Sequence, residues 1–163
     1  MYKKVLVPLD GSKLAECVLP HVEEIAKGCN TQEVVLVSVT ERIIGSGQRT
    51  VIQAVESLPA AVPVVKMPVV VGKMQRQAER YLSRIAKRLD EKGIKVRAQV
   101  LLGDPADEIT KFTEEDGDDF IVVASHGRSG VSRWTHGSVA ERIFRASKVP
   151  VLMVRALVST PGA

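Results

Sequence analysis

The chain is short of aromatic residues, cysteines and long apolar runs, and each shortage excludes something. Phe, Trp and Tyr together make up 4% of 163 residues. The core must therefore be aliphatic, and the aromatic platform on which single-stranded nucleic acid stacks lacks material. A net charge of +4 does not demand a polyanion, so composition argues against nucleic acid as a partner. The two cysteines, Cys17 and Cys29, make neither a disulfide framework nor a metal-ligand spacing, and read as reduced thiols of a cytoplasmic protein. Three scattered histidines add no metal site. No segment approaches the ~20 uninterrupted apolar residues of a membrane span. The start "MYKKVLVPLD" has too short an apolar run for a signal peptide. A cytoplasmic protein without membrane contact is expected.

What is present is an ordinary globular mix, 45% hydrophobic and 26% charged, at the length of one domain able to bury its own core. Short aliphatic runs alternate with amphipathic stretches. Strands are expected at 3–9, 33–39, 94–101, 119–125 and 149–155. Between the first two, Leu14, Val18, Val22 and Ile25 recur at helical spacing, with Gly28 as the stop and Pro20 expected to kink or shorten the helix. The clearest helix is "GKMQRQAERYLSRIAKRLDEKG". Met74, Ala78, Leu82, Ile85 and Leu89 form its apolar stripe, and Gly93 follows it as the C-terminal turn residue. "GDPADEITKFTEE" starts a helix unambiguously. Asp104 can cap, Pro105 suits the first position, and Asp107 and Glu108 lie in the positive first turn. The β-α-β-α order indicates a single α/β domain with a mainly parallel sheet covered on both faces.

One connection is too long to be plain. Residues 41–72 include a short helical pattern at Val51, Val55 and Leu58. They read as an ordered insertion on the sheet rim, as a lid, or as an apolar dimer contact. Residues 157–163 read as a loose tail after a domain spanning 1–156.

The stretch "VVASHGRSGVSRWTHGSVAERI" passes from a buried strand to a helix through three glycines and four serines. Strand, glycine-rich turn and helix N-terminus together make an anion site. Ser138 followed three residues on by Glu141 reads as a capping box, and the N–H groups of Gly137, Ser138 and Val139 could receive phosphate oxygens. Spacing alone leaves a plain capped helix start open beside that reading. A basic stripe of Lys73, Arg76, Arg80, Arg84 and Lys87 reads as a solvated face or as a contact for an acidic partner. His126 and His136 stand near serines, but nothing local fixes a nucleophile, base and orienting group. Trp134 could cover a ligand or join a subunit contact.

At these motifs the chain resembles the universal stress protein family, across nearly its whole length. ATP-binding members carry G-x-x-G, nine residues, then G-[S/T]. Here Ala124-Ser125-His126-Gly127 is followed nine residues later by Gly137-Ser138. The segments "KKVLVPLDGS", "LLGDPADEI" and "KVPVLMVR" are also similar. The resemblance implies a Rossmann-like three-layer sandwich, of the adenine nucleotide alpha-hydrolase-like type, with a five-stranded parallel sheet in order 3-2-1-4-5. It implies a cytoplasmic stress-response sensor or regulator that binds ATP with Mg²⁺ arriving on the phosphates, hydrolyses it slowly at most, and forms a homodimer through the last strand, Val149 to Arg155. Pro8, Leu9 and Asp10 would flank adenine and ribose. The backbone of Val39 would read the base. Ala124, Ser125, His126, Gly127, Arg128, Gly137, Ser138 and Val139 would form the phosphate loop. Ala124 departs from the family's glycine, and its methyl is expected to narrow the nucleotide's approach. Asp10 equally suits an Asx-turn. Two rivals stay open: an interaction module that does not use nucleotide, and a nucleotide-transferring enzyme.

Overall fold

A computed structural model describes residues 2–40, 71–125 and 137–155. The expected helix near Val51, the rest of the insertion up to residue 70 and the tail from residue 156 lie outside them.

The described residues form five strands: β1 (Lys4–Pro8), β2 (Glu33–Thr40), β3 (Val96–Leu102), β4 (Phe120–Ala124) and β5 (Val151–Val154). All pair in parallel, in the order β3-β2-β1-β4-β5. The helices are α1 (Leu19–Gly28), α2 (Val71–Asp90), α3 (Pro105–Asp116) and α4 (Ser138–Ala146). Alternate strand residues serve the two faces. Val5, Val7, Val34, Leu36 and Val122 meet Val18, Val22, Leu82, Ile85 and Leu89 of the α1/α2 side. Leu6, Val35, Val37, Ile121 and Val123 meet Ala106, Ile109, Ala140 and Ile143 of α3 and α4. Two-sided burial is why the strands read as unbroken aliphatic runs.

Several local expectations are corrected. Pro20 shortens the expected helix from its start and does not kink it: the helical spacing runs from Leu14, but the α-helix begins only at Leu19. It stands in the first turn of α1, after a 3₁₀ turn at Ala15–Val18, where its missing N–H costs no helical bond. The helix does run to Gly28, but the left-handed residue beyond it is Asn30 (φ 53°). Met74 is 39% exposed and does not belong to the buried stripe, which consists of Leu82, Ile85 and Leu89. Gly93 has φ 79°. Its N–H donates to Asp90 O and that of Ile94 to Leu89 O, the double closure that ends a helix at a left-handed residue.

At the start of α3, Asp104 accepts from the N–H groups of Ala106 and Asp107. Its other oxygen takes Arg142 Nη1 at 3.0 Å, while Arg142 Nη2 reaches Asp107 at 2.7 Å. This fork ties α4 to α3. The Arg142 bond first, with the Asp107 N–H, holds the Asp104 carboxyl below its ordinary pKa. Gly103 precedes the cap at φ 150°, and a Cβ there would meet Glu108 Oε1 at 2.7 Å.

Candidate functional site

The sheet opens at its carboxyl end because of one residue, Pro8. The Lys4 carbonyl accepts from Asp119 N–H, on the β4 side, and Leu9 N–H donates to Val37 O, on the β2 side. Backbone groups alternate sides along a strand. Pro8 therefore faces β4, where it has no N–H to give. The β1–β4 register reads Val5↔Phe120 and Leu6↔Ile121 and goes no further. Past that point the strands bound a crevice. Strand order also reverses there, β1 continuing to β2 on one side while β4 and β5 lie on the other. That is where open α/β sheets bind ligands.

A cleft of about 390 Å³ occupies the crevice, within the range of small-molecule sites. Its lining brings together Pro8, Leu9, Asp10, Val39, Ala124, Ser125, Gly137, Ser138 and Val139, nine of the twelve residues singled out from the sequence. The other three, His126, Gly127 and Arg128, lie outside the described residues, as do Trp134 and His136. The lining also includes Pro105, Ile109 and Ile143, an apolar wall from α3 and α4 that motif reading missed. The "GDPADEI" helix start could have signalled it, because the turn after β3 delivers α3 to the same end of the sheet.

Three backbone arrangements define the chemistry. The β1–β2 register ends at Pro8↔Val37. Val39 presents its N–H and C=O to the same side as Val37, and there no strand residue stands opposite it. A donor and an acceptor thus lie side by side on an open strand edge. At the opposite wall, α4 begins. Its first three N–H groups, of Ser138, Val139 and Ala140, have no acceptor within the helix, and the helix dipole adds partial positive charge. Between them, Ser12 donates its N–H and its hydroxyl to Asp10 Oδ1, at 2.9 and 2.6 Å. The Asx-turn reading of Asp10 is therefore realised in the structure.

The capping box is not. Gly137 is the N-cap, and Ser138 is the first helical residue without a side-chain cap bond. Glu141 turns instead to Arg145 at 2.8 Å. Nor is the Gly137 N–H available to an anion. It donates to Ser125 O at 2.6 Å, while Ser125 N–H donates to Val154 O at 2.7 Å. These bonds pin both ends of the 126–136 connection to β4 and β5.

Ala124 is 7% exposed and belongs to the α1/α2-side core with Leu9, Ala15 and Val154, although it also borders the cleft. Its methyl therefore has packing to do that glycine could not. Ala124→Gly is expected to lower stability by about 1 kcal/mol, read by thermal unfolding. It is expected to change the affinity of a ligand held in the cleft by less than about threefold, read by calorimetry.

Among the described residues, no group of three or more His, Cys, Asp or Glu is placed to hold a metal ion, and no helix is long and apolar enough to cross a membrane.

A model of the universal stress protein family matches residues 1–155. Universal stress protein MJ0577 of Methanocaldococcus jannaschii is 34% identical over 157 residues, covering 95% of this chain and 96% of its own. The solved structure of MJ0577 superposes with a TM-score of 0.76 at 31% identity, over 98% of this chain and 99% of that one. Two more distant structures share the fold. One is a universal stress protein in complex with cAMP (TM-score 0.58, 20% identity, 96% and 98% coverage). The other is an Arabidopsis thaliana family protein with AMP bound (TM-score 0.62, 18% identity, 96% and 93% coverage). Parallel strand order, the crevice at the β1/β4 switch and the match along the whole described fold lead to one assignment: this chain belongs to the universal stress protein family.

Proposed function

We propose that the cleft binds ATP and that the protein is a cytoplasmic, nucleotide-dependent stress-response sensor or regulator, with slow hydrolysis at most. The observation that carries this reading is the pairing of two backbone sites across one crevice. The Val39 edge offers N–H and C=O side by side. Adenine presents an acceptor and an amino donor on its Watson–Crick edge and complements that pair, whereas guanine presents the reverse order. The first turn of α4 offers N–H groups and dipole to phosphate oxygens. Leu9, Ala15 and the apolar wall at Ile109 and Ile143 exclude water from the base. Asp10, already oriented by Ser12, stands where a ribose hydroxyl would meet a carboxylate. The AMP and cAMP complexes of the two distant family members support an adenine nucleotide as the ligand class.

Mg²⁺ would enter on the phosphates. Asp10 is the one carboxylate among the described lining residues, so the protein contributes little to holding the ion and the nucleotide contributes most. Its chemistry there would be charge neutralisation between phosphate groups. Without a described general base or cationic clamp facing the cleft, the site favours holding ATP over turning it over.

We also propose a homodimer through β5. Val151, Leu152 and Met153 are only partly buried along this edge strand, and a second copy would cover both the apolar side chains and the unpaired ladder groups.

Titration calorimetry with ATP and GTP tests the nucleotide reading. ATP is expected to bind at least about tenfold more tightly than GTP. Equal affinities would remove the Val39 edge from the argument. No heat and no thermal shift at about 1 mM ATP would leave the protein as an interaction module of the same fold.

A further inference from the structure

The basic stripe divides into two unlike halves. Arg84 and Arg88 both reach Glu16, at 3.5 and 3.4 Å, and Lys87 reaches Glu91 at 4.0 Å. Lys73, Arg76 and Arg80 are exposed, and none forms an ion pair with a described acid. The helix carries six basic and two acidic residues, so its net +4 equals that of the whole chain. Everything outside α2 is balanced.

The half without described acidic partners occupies a particular place. Because α2 joins two parallel strands, it runs against them. Its first half therefore stands at the carboxyl end of the sheet, the end that holds the cleft. Arg76, Arg80 and Arg84 follow at intervals of four residues, ~6 Å apart along the axis. Like charges at that spacing repel and weaken a helix. A sequence that keeps them at a cost in stability is expected to use them.

We infer that the first half of α2 docks an acidic segment of a partner protein beside the mouth of the cleft. The face fits this occupant better than others. Duplex nucleic acid is held through about 6–10 phosphate contacts, more than these three cations provide, and no exposed aromatic residue on the described part of the helix accompanies them for single strands. A membrane surface calls for an apolar flank, and Met74, 39% exposed, is the one large apolar side chain exposed on the described part of the helix. The same face of a second copy would bring charge of the same sign. Carboxylates four residues apart on a partner helix would match the ~6 Å repeat.

The test uses the full chain and a helical peptide of about four turns with Glu at every fourth position, with its Gln counterpart as control. Binding is read by fluorescence anisotropy across salt concentrations. The Glu peptide is expected to bind at micromolar level and weaken with salt. Arg76→Glu/Arg80→Glu should lose at least about tenfold. Lys111→Glu on α3, whose side chain is 65% exposed, should leave the affinity unchanged. The double variant should be at least as stable as the parent, since the carboxylate introduced by Arg80→Glu precedes Arg84 by one turn, and should bind ATP as the parent does. Equal binding of the Gln peptide, or an equal loss in Lys111→Glu, would overturn the docking face. Tighter binding to a DNA duplex of about two turns or to phosphatidylserine vesicles would overturn the choice of partner. Self-association abolished by the double variant would assign the face to a second copy instead.

Discussion

At pH 8, Asp118→Asn is expected to be more stable than the parent protein by about 2 kcal/mol, and the difference should vanish near pH 4. Asp118 is 4% exposed, and neither carboxylate oxygen has a hydrogen-bond partner among the described residues. It sits at the amino end of β4, opposite the cleft. Burial first, then the neighbouring Asp116, push its pKa up to about 7; Lys4 and Arg97 pull the other way, and Asp119 adds to the rise. The cations cannot rescue it because they are engaged elsewhere. Lys4 Nζ donates to Asp116 Oδ2 at 2.9 Å and to the Asp116 carbonyl at 2.7 Å. Arg97 pairs with Asp116 and with Glu33. Asp119 itself accepts from the N–H groups of Lys3 and Lys4.

The sign follows from proton counts. Between the ordinary carboxylate range and about 7, folded Asp118 keeps a proton that the unfolded chain has lost. Stability therefore falls as pH rises through that window, by at most about 4 kcal/mol in total. The amide side chain removes the titration and with it the slope. Asp116 acts at the other end. Its partial burial alone would raise it, but the bonds from Lys4 and Arg97 hold it below the ordinary value. Its contribution is present above the unfolded carboxylate pKa of about 4 and is lost as pH falls below it. The parent protein should therefore be most stable in mildly acidic buffer. Chemical denaturation from about pH 2 to about pH 8 reads both effects. Parallel slopes for parent and variant would show that Asp118 is ionised in the folded state at no cost.

Ser138→Pro is expected to weaken ATP binding by about tenfold while leaving thermal stability unchanged or slightly raised. Proline at the first helical position removes an N–H that the helix does not use, and its fixed φ suits the start of α4. Gly137, the residue before it, already has φ −53° and ψ 134°, the extended conformation a following proline requires. The substitution therefore deletes one backbone donor from the α4 end of the cleft without unmaking its scaffold. The loss corresponds to one charge-assisted hydrogen bond. Ser138→Ala separates the hydroxyl from the N–H and should retain most of the affinity. If Ser138→Pro binds ATP as tightly as the parent, the phosphates do not rest on the first turn of α4.

Much of this protein is legible before it is folded. Aliphatic runs such as "KVLVP" and "FIVVA" specify strands buried on both faces, and the intervening 3.6-residue periods specify helices. The Asp104-Pro105 pair specifies the start of α3 through local backbone chemistry. The spacing from Ala124 to Ser138 and the "VPLD" turn mark two segments that the structure brings together in the lining of one cleft. These features survive in the sequence because each rests on contacts within a few residues, or on solvent exclusion that any fully buried strand must satisfy.

The tertiary structure decided what depends on residues far apart in the chain. Pro8 is visible in the sequence, but only the alternation of ladder partners reveals that its missing N–H faces β4 and opens the crevice. Gly137 looks like an anion donor until Ser125, twelve positions earlier, takes its N–H. Ala124 reads from the sequence as part of the loop alone, and only the fold shows that it packs in the core with Val154 while also bordering the cleft. Asp118 looks like an ordinary surface aspartate, and its isolation follows from Lys4 and Asp116, 112 residues apart, pairing with each other. Local pattern records which groups a segment carries. Which of those groups remain free is settled only when distant segments compete for them.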